Sequence, residues 1–171
     1  RKLCWNYRDN IASATLIERD DDAADIEYYV YDGAGQRMRK VTETLKGSDS
    51  GRRIEIAETL YLGGVEIKRV KQKEGDVLKT NSERWSLHVS DGHERIAIAH
   101  HWTLGDKKGT KQIRYQLGNH LGSASLELTD NAEIISYEEY LPYGGTAFIA
   151  GKDKTEVKRK TYRYSGKERD W

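Results

Sequence analysis

Short runs of alternating apolar and polar residues, each closed by an Asp, Asn or Gly turn, fill most of this chain. Leu3, Trp5 and Tyr7 alternate up to Arg8-Asp9-Asn10, and residues 11–17 resume the pattern, which predicts a strand, a turn and a second strand. Asp20-Asp21-Asp22 predicts a solvated loop. Residues 26–30 lead into Tyr31-Asp32-Gly33-Ala34-Gly35, where Asp bonds its own backbone and Gly supplies a positive φ, and the strand returns through Arg37, Arg39 and Val41. After a polar loop at 46–52 come Ile54, Ile56 and 59–62, a Gly63-Gly64 turn, and Val65, Ile67 and Val70 in alternation with polar residues.

Residues 71–82 are polar and contain Gly75-Asp76, which predicts a mobile loop tip. Trp85, Leu87 and Val89 alternate up to Ser90-Asp91-Gly92, and Ile96, Ile98, His100 and Trp102 alternate beyond it. A second loop, 105–110, leads to QIRYQLGNHLGSASLELTDNAEIISYEEYLPYGGTAF at 112–148, three strand-like runs broken by turn signals and closed by Pro142-Tyr143-Gly144-Gly145. The pattern predicts an all-β chain of antiparallel hairpins in a meander, with helix only as a short piece near 151–160. An isolated hairpin is marginal in water, so the hairpins must join one extended sheet over residues 1–171, a segment of something larger whose open edges invite self-association.

Composition changes the picture of the core. With 36% hydrophobic and 33% charged residues the apolar supply is thin, while 11 Tyr and 4 Trp argue against disorder. Tyrosine is therefore expected to supply much of the core, with Tyr31, Tyr115 and Tyr137 packing as one layer. Lys plus Arg at 29 against Asp plus Glu at 28 leaves no global basic field, which argues against a nucleic-acid partner. The single cysteine, Cys4, forms no internal disulfide. No apolar stretch approaches the roughly 20 residues of a membrane span, and the first residues lack the apolar centre of a secretory signal.

Candidate chemistry is sparse. The five histidines, His88, His93, His100, His101 and His120, include no HxH or HxxxH pair, and adjacent His100 and His101 point to opposite faces of a strand, so neither metal nor cofactor is expected. His120, Ser123, Ser125 and Asp130 flank one hairpin turn without the GxSxG elbow of a hydrolase. Gly33, Gly35, Gly63 and Gly64 lack phosphate-loop spacing and read as hairpin turns. Lys158-Arg159-Lys160 forms a local basic patch, offset by Asp153 and Glu156, and reads as a solvated strand edge. Tyr137, Tyr140, Tyr143 and Tyr162 leave open an alternative, a carbohydrate or cell-surface binding module that uses these tyrosines and the loops at 71–82 and 105–110.

Four blocks stand out in order: YYVYDGAGQRMRKV at 28–41, YLGGVEIKR at 61–69, the run at 112–148, and TYRYSGKERD at 161–170. Together they resemble the RHS/YD-repeat-associated core region, most closely the C component of insecticidal toxin complexes. The resemblance implies a curved shell sheet that encloses a C-terminal toxic polypeptide before delivery, its inner wall polar enough not to trap the passenger. It implies as partners the variable C-terminal toxin polypeptide and a second shell-forming B component. It also implies a protein made in the bacterial cytoplasm and secreted as part of an extracellular toxin complex, without direct membrane insertion.

The same resemblance gives Arg169 and Asp170 a chemical role, because GKERD is similar to the first part of an aspartyl self-cleavage site. Such chemistry needs a second carboxylate to share a proton with the first. The family continues after ERD with TGLYYY-like, ARYY-like and DPxG-like elements that this sequence lacks, and Trp171 departs from the small or acidic residue usual there. Asp170 is thus at most half of a site, and the chain by itself is not expected to be an enzyme. The alternative is a strand-end aspartate paired with Arg169 or Lys167.

Overall fold

A computed structural model describes residues 2–47, 51–74, 77–92 and 94–169. Among them the chain is all-β: β1 Leu3–Trp5, β2 Ile11–Ile17, β3 Asp25–Tyr31, β4 Arg37–Lys46, β5 Arg53–Leu62, β6 Val65–Glu74, β7 Val77–Asp91, β8 Glu94–Leu104, β9 Lys111–Gly118, β10 Ala124–Leu128, β11 Ile134–Tyr140 and β12 Thr146–Gly151, then one helix, α1 Lys154–Arg159. Strand order in the antiparallel sheet is chain order, as a meander requires. The chain forms two compact units, Arg1–Ser86 with His101–Thr110, and Leu87–His100 with Lys111–Trp171.

One turn geometry recurs at residues 6–10, 32–36, 119–123, 129–133 and 141–145. In each, the first residue's N–H donates to the fifth residue's carbonyl at 2.6–3.0 Å, and the fourth residue's N–H donates back to the first residue's carbonyl at 2.9–3.2 Å. The fourth residue, Asp9, Gly35, Gly122, Ala132 or Gly144, has φ between 58° and 83°. Asn6, Asp32, Asn119 and Thr129 add side-chain acceptors for two backbone N–H groups each, at 2.8–3.3 Å. This is a tight turn closed by a left-handed residue, the three-residue hairpin loop that carries a bulge. Register shifts accompany it in the hairpins β1–β2, β3–β4, β9–β10, β10–β11 and β11–β12. The Gly63-Gly64 turn instead joins β5 and β6 with no shift. A one-residue slip would exchange the faces of a strand, so these loops decide which side chains are buried.

In the first unit the burial is largely ionic. Glu58 is buried opposite Val41 on β4 and Arg69 on β6, and receives Arg39 Nε at 2.7 Å and Lys71 Nζ at 2.6 Å. Glu27 accepts from the Tyr29 hydroxyl and, at 2.9 Å, from Thr42. Glu83 accepts from Thr103 at 2.6 Å, Trp85 Nε1 at 2.9 Å and Arg69 Nε at 2.7 Å, and these three donors hold its carboxyl down to about 2. Ala14, Ile67 and Trp102 are the buried apolar side chains of this unit among the described residues.

The second unit inverts the usual arrangement of a one-sided sheet. On β9 to β12, paired positions Gln116, Glu127 and Ser136 lie on the buried face, whereas the opposite face carries the rows Leu117–Leu126–Tyr137 and Tyr115–Leu128–Ile134. Leu117 is 49% exposed, Ile134 57% and Phe148 52%. The strands keep their period of two; it is the polar stripe that the fold covers.

Three expectations are corrected here. Tyrosine does not make the core: Tyr115 and Tyr137 lie on the open face and Tyr31 is half-buried, because the faces with most cover are filled by charge pairs. The expected loop at 71–82 is strand in residues 71–74 and 77–82, with Gly75-Asp76 outside the described residues, because polar strands here pair charge with charge, as Lys71 of β6 does with Glu58 of β5 and Arg69 of β6 with Glu83 of β7. Lys158-Arg159-Lys160 is not a strand edge, since Lys158 and Arg159 form the last turn of α1 and Lys160 caps it with its side chain buried on Glu138. His93 also lies outside the described residues.

Ile135, 2% exposed, is the largest fully buried apolar side chain described. Ile135→Ala is expected to cost about 2–4 kcal/mol and Tyr137→Ala about 1 kcal/mol, in urea denaturation. A larger loss for Tyr137→Ala would restore the tyrosine core.

Candidate functional site

The sheet β9–β12 is covered on its polar face by residues 152–169, and that contact is the candidate site. Asp153 caps α1, accepting from Thr155 N at 2.7 Å and Glu156 N at 2.8 Å. Glu156 in the first turn and Lys158 and Arg159 in the last follow the helix dipole. Six residues are too few to hold a helix by themselves, so tertiary contacts fix it. Lys152 N donates to Ile135 O at 3.0 Å, and a Cβ on Gly151 would lie 2.7 Å from Ile135 O, which keeps the helix start close against β11.

Two carboxylates organise the contact. Glu127 on β10 receives Arg114 Nη2 at 2.5 Å, Ser136 Oγ at 2.6 Å and Gln116 Nε2 at 3.0 Å, and Arg114 reaches on to Glu156 Oε2 at 2.9 Å and Glu156 O at 3.0 Å. Glu138 on β11 receives Lys160 Nζ at 3.1 Å, Arg163 Nη1 at 3.1 Å and Thr146 Oγ1 at 2.7 Å, with the Tyr140 hydroxyl at 3.0 Å. The side chains of Glu138 and Lys160 are wholly buried. Burial pushes both carboxyls up, but at Glu127 the charge and hydrogen bonds of Arg114, and at Glu138 the Thr146 bond with the Lys160 and Arg163 charges, outweigh it and hold each below the ordinary range. Burial lowers the Lys160 ammonium and raises the Tyr140 hydroxyl.

Residues 161–169 then form a small hairpin. Arg163 N donates to Lys167 O at 3.0 Å, Arg169 N to Thr161 O at 2.9 Å and Lys167 N to Tyr164 O at 3.1 Å, around Ser165 at φ 49° and Gly166 at φ 63°. Two left-handed residues in succession make the mirror-image turn that suits hairpins. Ser165 N donates to buried Ser123 Oγ at 2.9 Å and Ala124 N to Arg163 O at 3.1 Å, while Tyr162 lies under the Arg95 guanidinium at 3.7 Å and edge-on to His88. The Ser165-Gly166 pair, flanked by alternating residues, was the sequence signal for this hairpin. Nothing in the sequence signalled the partners of Glu127 and Glu138, which arrive from positions up to 25 residues away.

Arg169 is exposed, its Nη1 3.0 Å from Thr146 Oγ1, beside a cleft of about 310 Å³ lined by Tyr143, Gly144, Gly145, Arg163, Tyr164 and Lys167 among others. Asp170 lies outside the described residues. His120 and Asp130 are exposed and Ser123 is committed to Ser165, so the hydrolase set is not assembled. Among the described residues no three His, Cys, Asp or Glu side chains gather to hold a metal. The basic patch is dispersed: Lys158 is exposed, Arg159 pairs with Glu156, and Lys160 is buried on Glu138.

No family model matches the chain. Toxin subunit YenC1 of Yersinia entomophaga is 34% identical over 170 residues, 98% of this chain, and toxin subunit YenC2 of the same organism is 33% identical over 172 residues. The chain spans 17% of the length of each. The crystal structure of TcdB2–TccC3 without its hypervariable C-terminal region matches 98% of this chain and 8% of that chain, with a TM-score of 0.85 and 36% identity; the Tc holotoxin pore of Photorhabdus luminescens matches as well. The chain is thus related over almost its whole length to one segment of toxin-complex subunits, and it shares their all-β fold there.

Removing the charge at Glu138 leaves two cations buried without their partner. Glu138→Gln is expected to cost about 3–5 kcal/mol in urea denaturation, whereas the apolar replacement of Glu138, Lys160 and Arg163 together costs less than that single change. Equal losses would mean that the ion pairs do not seat the segment. The pH dependence follows from carboxyls that titrate lower when folded than when unfolded. Their stabilisation is complete above the ordinary glutamate value of 4.5, and is lost as pH falls through the folded values, for Glu83 toward about 2. Urea midpoints should hold from neutral pH to about 5 and fall below about 4.5, with a shallower fall in Glu138→Gln.

Proposed function

We propose that this chain is a wall segment of the shell of a toxin-complex C component, which encloses a C-terminal toxic polypeptide until delivery. The observation that carries the reading is the near-complete match of the chain to one segment of toxin subunits at about one-third identity. The fold supports it physically. A single-layer antiparallel meander, each strand hydrogen-bonded to the next, extends by adding hairpins and needs no second sheet wherever ionic pairs fill its covered face. The partners in this reading are the passenger polypeptide and a B-component shell protein, and the complex is secreted.

Within the same reading, Arg169 and Asp170 form the upstream half of an aspartyl self-cleavage site. The support is local: the hairpin at 161–169 is tied to β10 through Ser123 and Ala124 and to β11 through Glu138, so the chain reaches Arg169 on a fixed path. The second carboxylate belongs to sequence beyond these residues. The carbohydrate-binding alternative loses one of its two loops, since residues 71–74 and 77–82 are strand, while residues 105–110 join β8 to β9 outside any strand.

Exchange of this chain for the matching segment of the Yersinia entomophaga subunit tests the proposal. The hybrid should assemble with the B component and keep its C-terminal region resistant to trypsin. A hybrid that folds but leaves that region open to protease would sink the shell reading. Intact mass of the hybrid beside its Asp170→Asn form tests the cleavage role; a parent that is cut while the variant stays whole is the expected outcome, and two whole proteins would make Asp170 structural.

A further inference from the structure

We propose that the open apolar face of β9–β12 is a self-complementary interface, which a second copy of this chain covers when the chain stands alone. The rows Leu117–Leu126–Tyr137 and Tyr115–Leu128–Ile134 lie side by side across three strands, with Phe148 stacked obliquely on Tyr137, ring centroids 6.3 Å apart. Tyr115, Leu117, Ile134 and Tyr137 of these rows are between 38% and 57% exposed. Together they present on the order of 600 Å² of apolar surface, at the upper end of what a monomer usually leaves bare and about three-quarters of the roughly 800 Å² per partner of a stable interface.

The occupant follows from shape and charge. Glu139, whose carboxylate accepts from the Tyr137 hydroxyl at 2.9 Å, is paired with Phe148 at the β12 side of this face, and Lys111 shares the period of Ile113, Tyr115 and Leu117 at the start of β9, so the charges stand at the margins and the two rows between them are uncharged. A face two rows deep is covered by another sheet packed at about 10 Å, whereas a single extended strand of a foreign polypeptide would cover one row. A copy turned by a two-fold axis offers such a sheet with the same rows. The opposite face is closed to this role, because residues 152–169 already cover it. The interface is independent of the shell reading. In a longer protein the same face would be available to a neighbouring layer.

The test is the mass of the chain in solution by light scattering across micromolar concentrations, beside Leu117→Lys/Ile134→Lys and the milder Leu117→Thr/Ile134→Thr. Wild type should rise to twice the monomer mass. The lysine variant, with an unchanged circular dichroism spectrum, should stay monomeric, and the threonine variant should dimerise at least about tenfold more weakly. The threonine form keeps a strand propensity and answers the question if lysine prevents folding. A monomeric wild type overturns the proposal, and more so if it captures reduced, permanently unfolded lactalbumin, which would make an extended polypeptide the occupant. A folded variant that dimerises like wild type also overturns it, since pairing would then run through the open edges of β1 or β12.

Discussion

Glu138 has no water to face, and the second unit is arranged around that constraint. A buried carboxylate must be paired and hydrogen-bonded or it neutralises. Here its partners come from Lys160 and Arg163, beyond the end of β12, with Thr146 supplying a hydroxyl from the neighbouring strand. Glu127 does the same with Arg114, and Arg114 in turn holds Glu156 of the helix. The covering segment is thereby attached at two carboxylates rather than by an apolar seam. Geometry matters more in such a contact than in an oily one, because each charge tolerates few alternative positions.

That arrangement explains how a chain with a thin apolar supply builds a folded sheet. The apolar residues that the strands do carry are spent on the other face, where they remain in reach of a partner. In the first unit the same economy appears as Glu58 among three cations and Glu83 among Thr103, Trp85 and Arg69. Segments of this kind suit a wall, since a wall needs two usable faces and edges that can be extended. The kinship with toxin subunits and the two-faced sheet point the same way by separate routes.

Much of the fold was legible because it is written locally. Strands β2 and β5 follow the alternation closely, and four of the five recurrent turns open with Asn, Asp or Thr, while three of the five carry Gly at the positive-φ position. Asp32 and Gly35 were readable in full, because an Asx side chain bonds backbone two and four residues on and the αL position favours Gly. Ala132, which takes the left-handed position without being glycine, shows that the turn can be imposed by its neighbours. The stretch at 71–82 misled in the other direction, since polar strands that pair charge with charge look like loop when hydropathy is the guide.

Periodicity by itself determined that the chain is an antiparallel meander, where most of its hairpins turn, and that helix is confined to a short piece near residues 151–160, because each of these depends on residues within a few positions of one another. It also sorted each strand into an apolar and a polar stripe. Tertiary structure alone decided which stripe is covered. That choice rests on the salt bridges of Glu156 with Arg114 on β9 and of Lys160 and Arg163 with Glu138 on β11, and a pattern of period two is the same whichever face is inside.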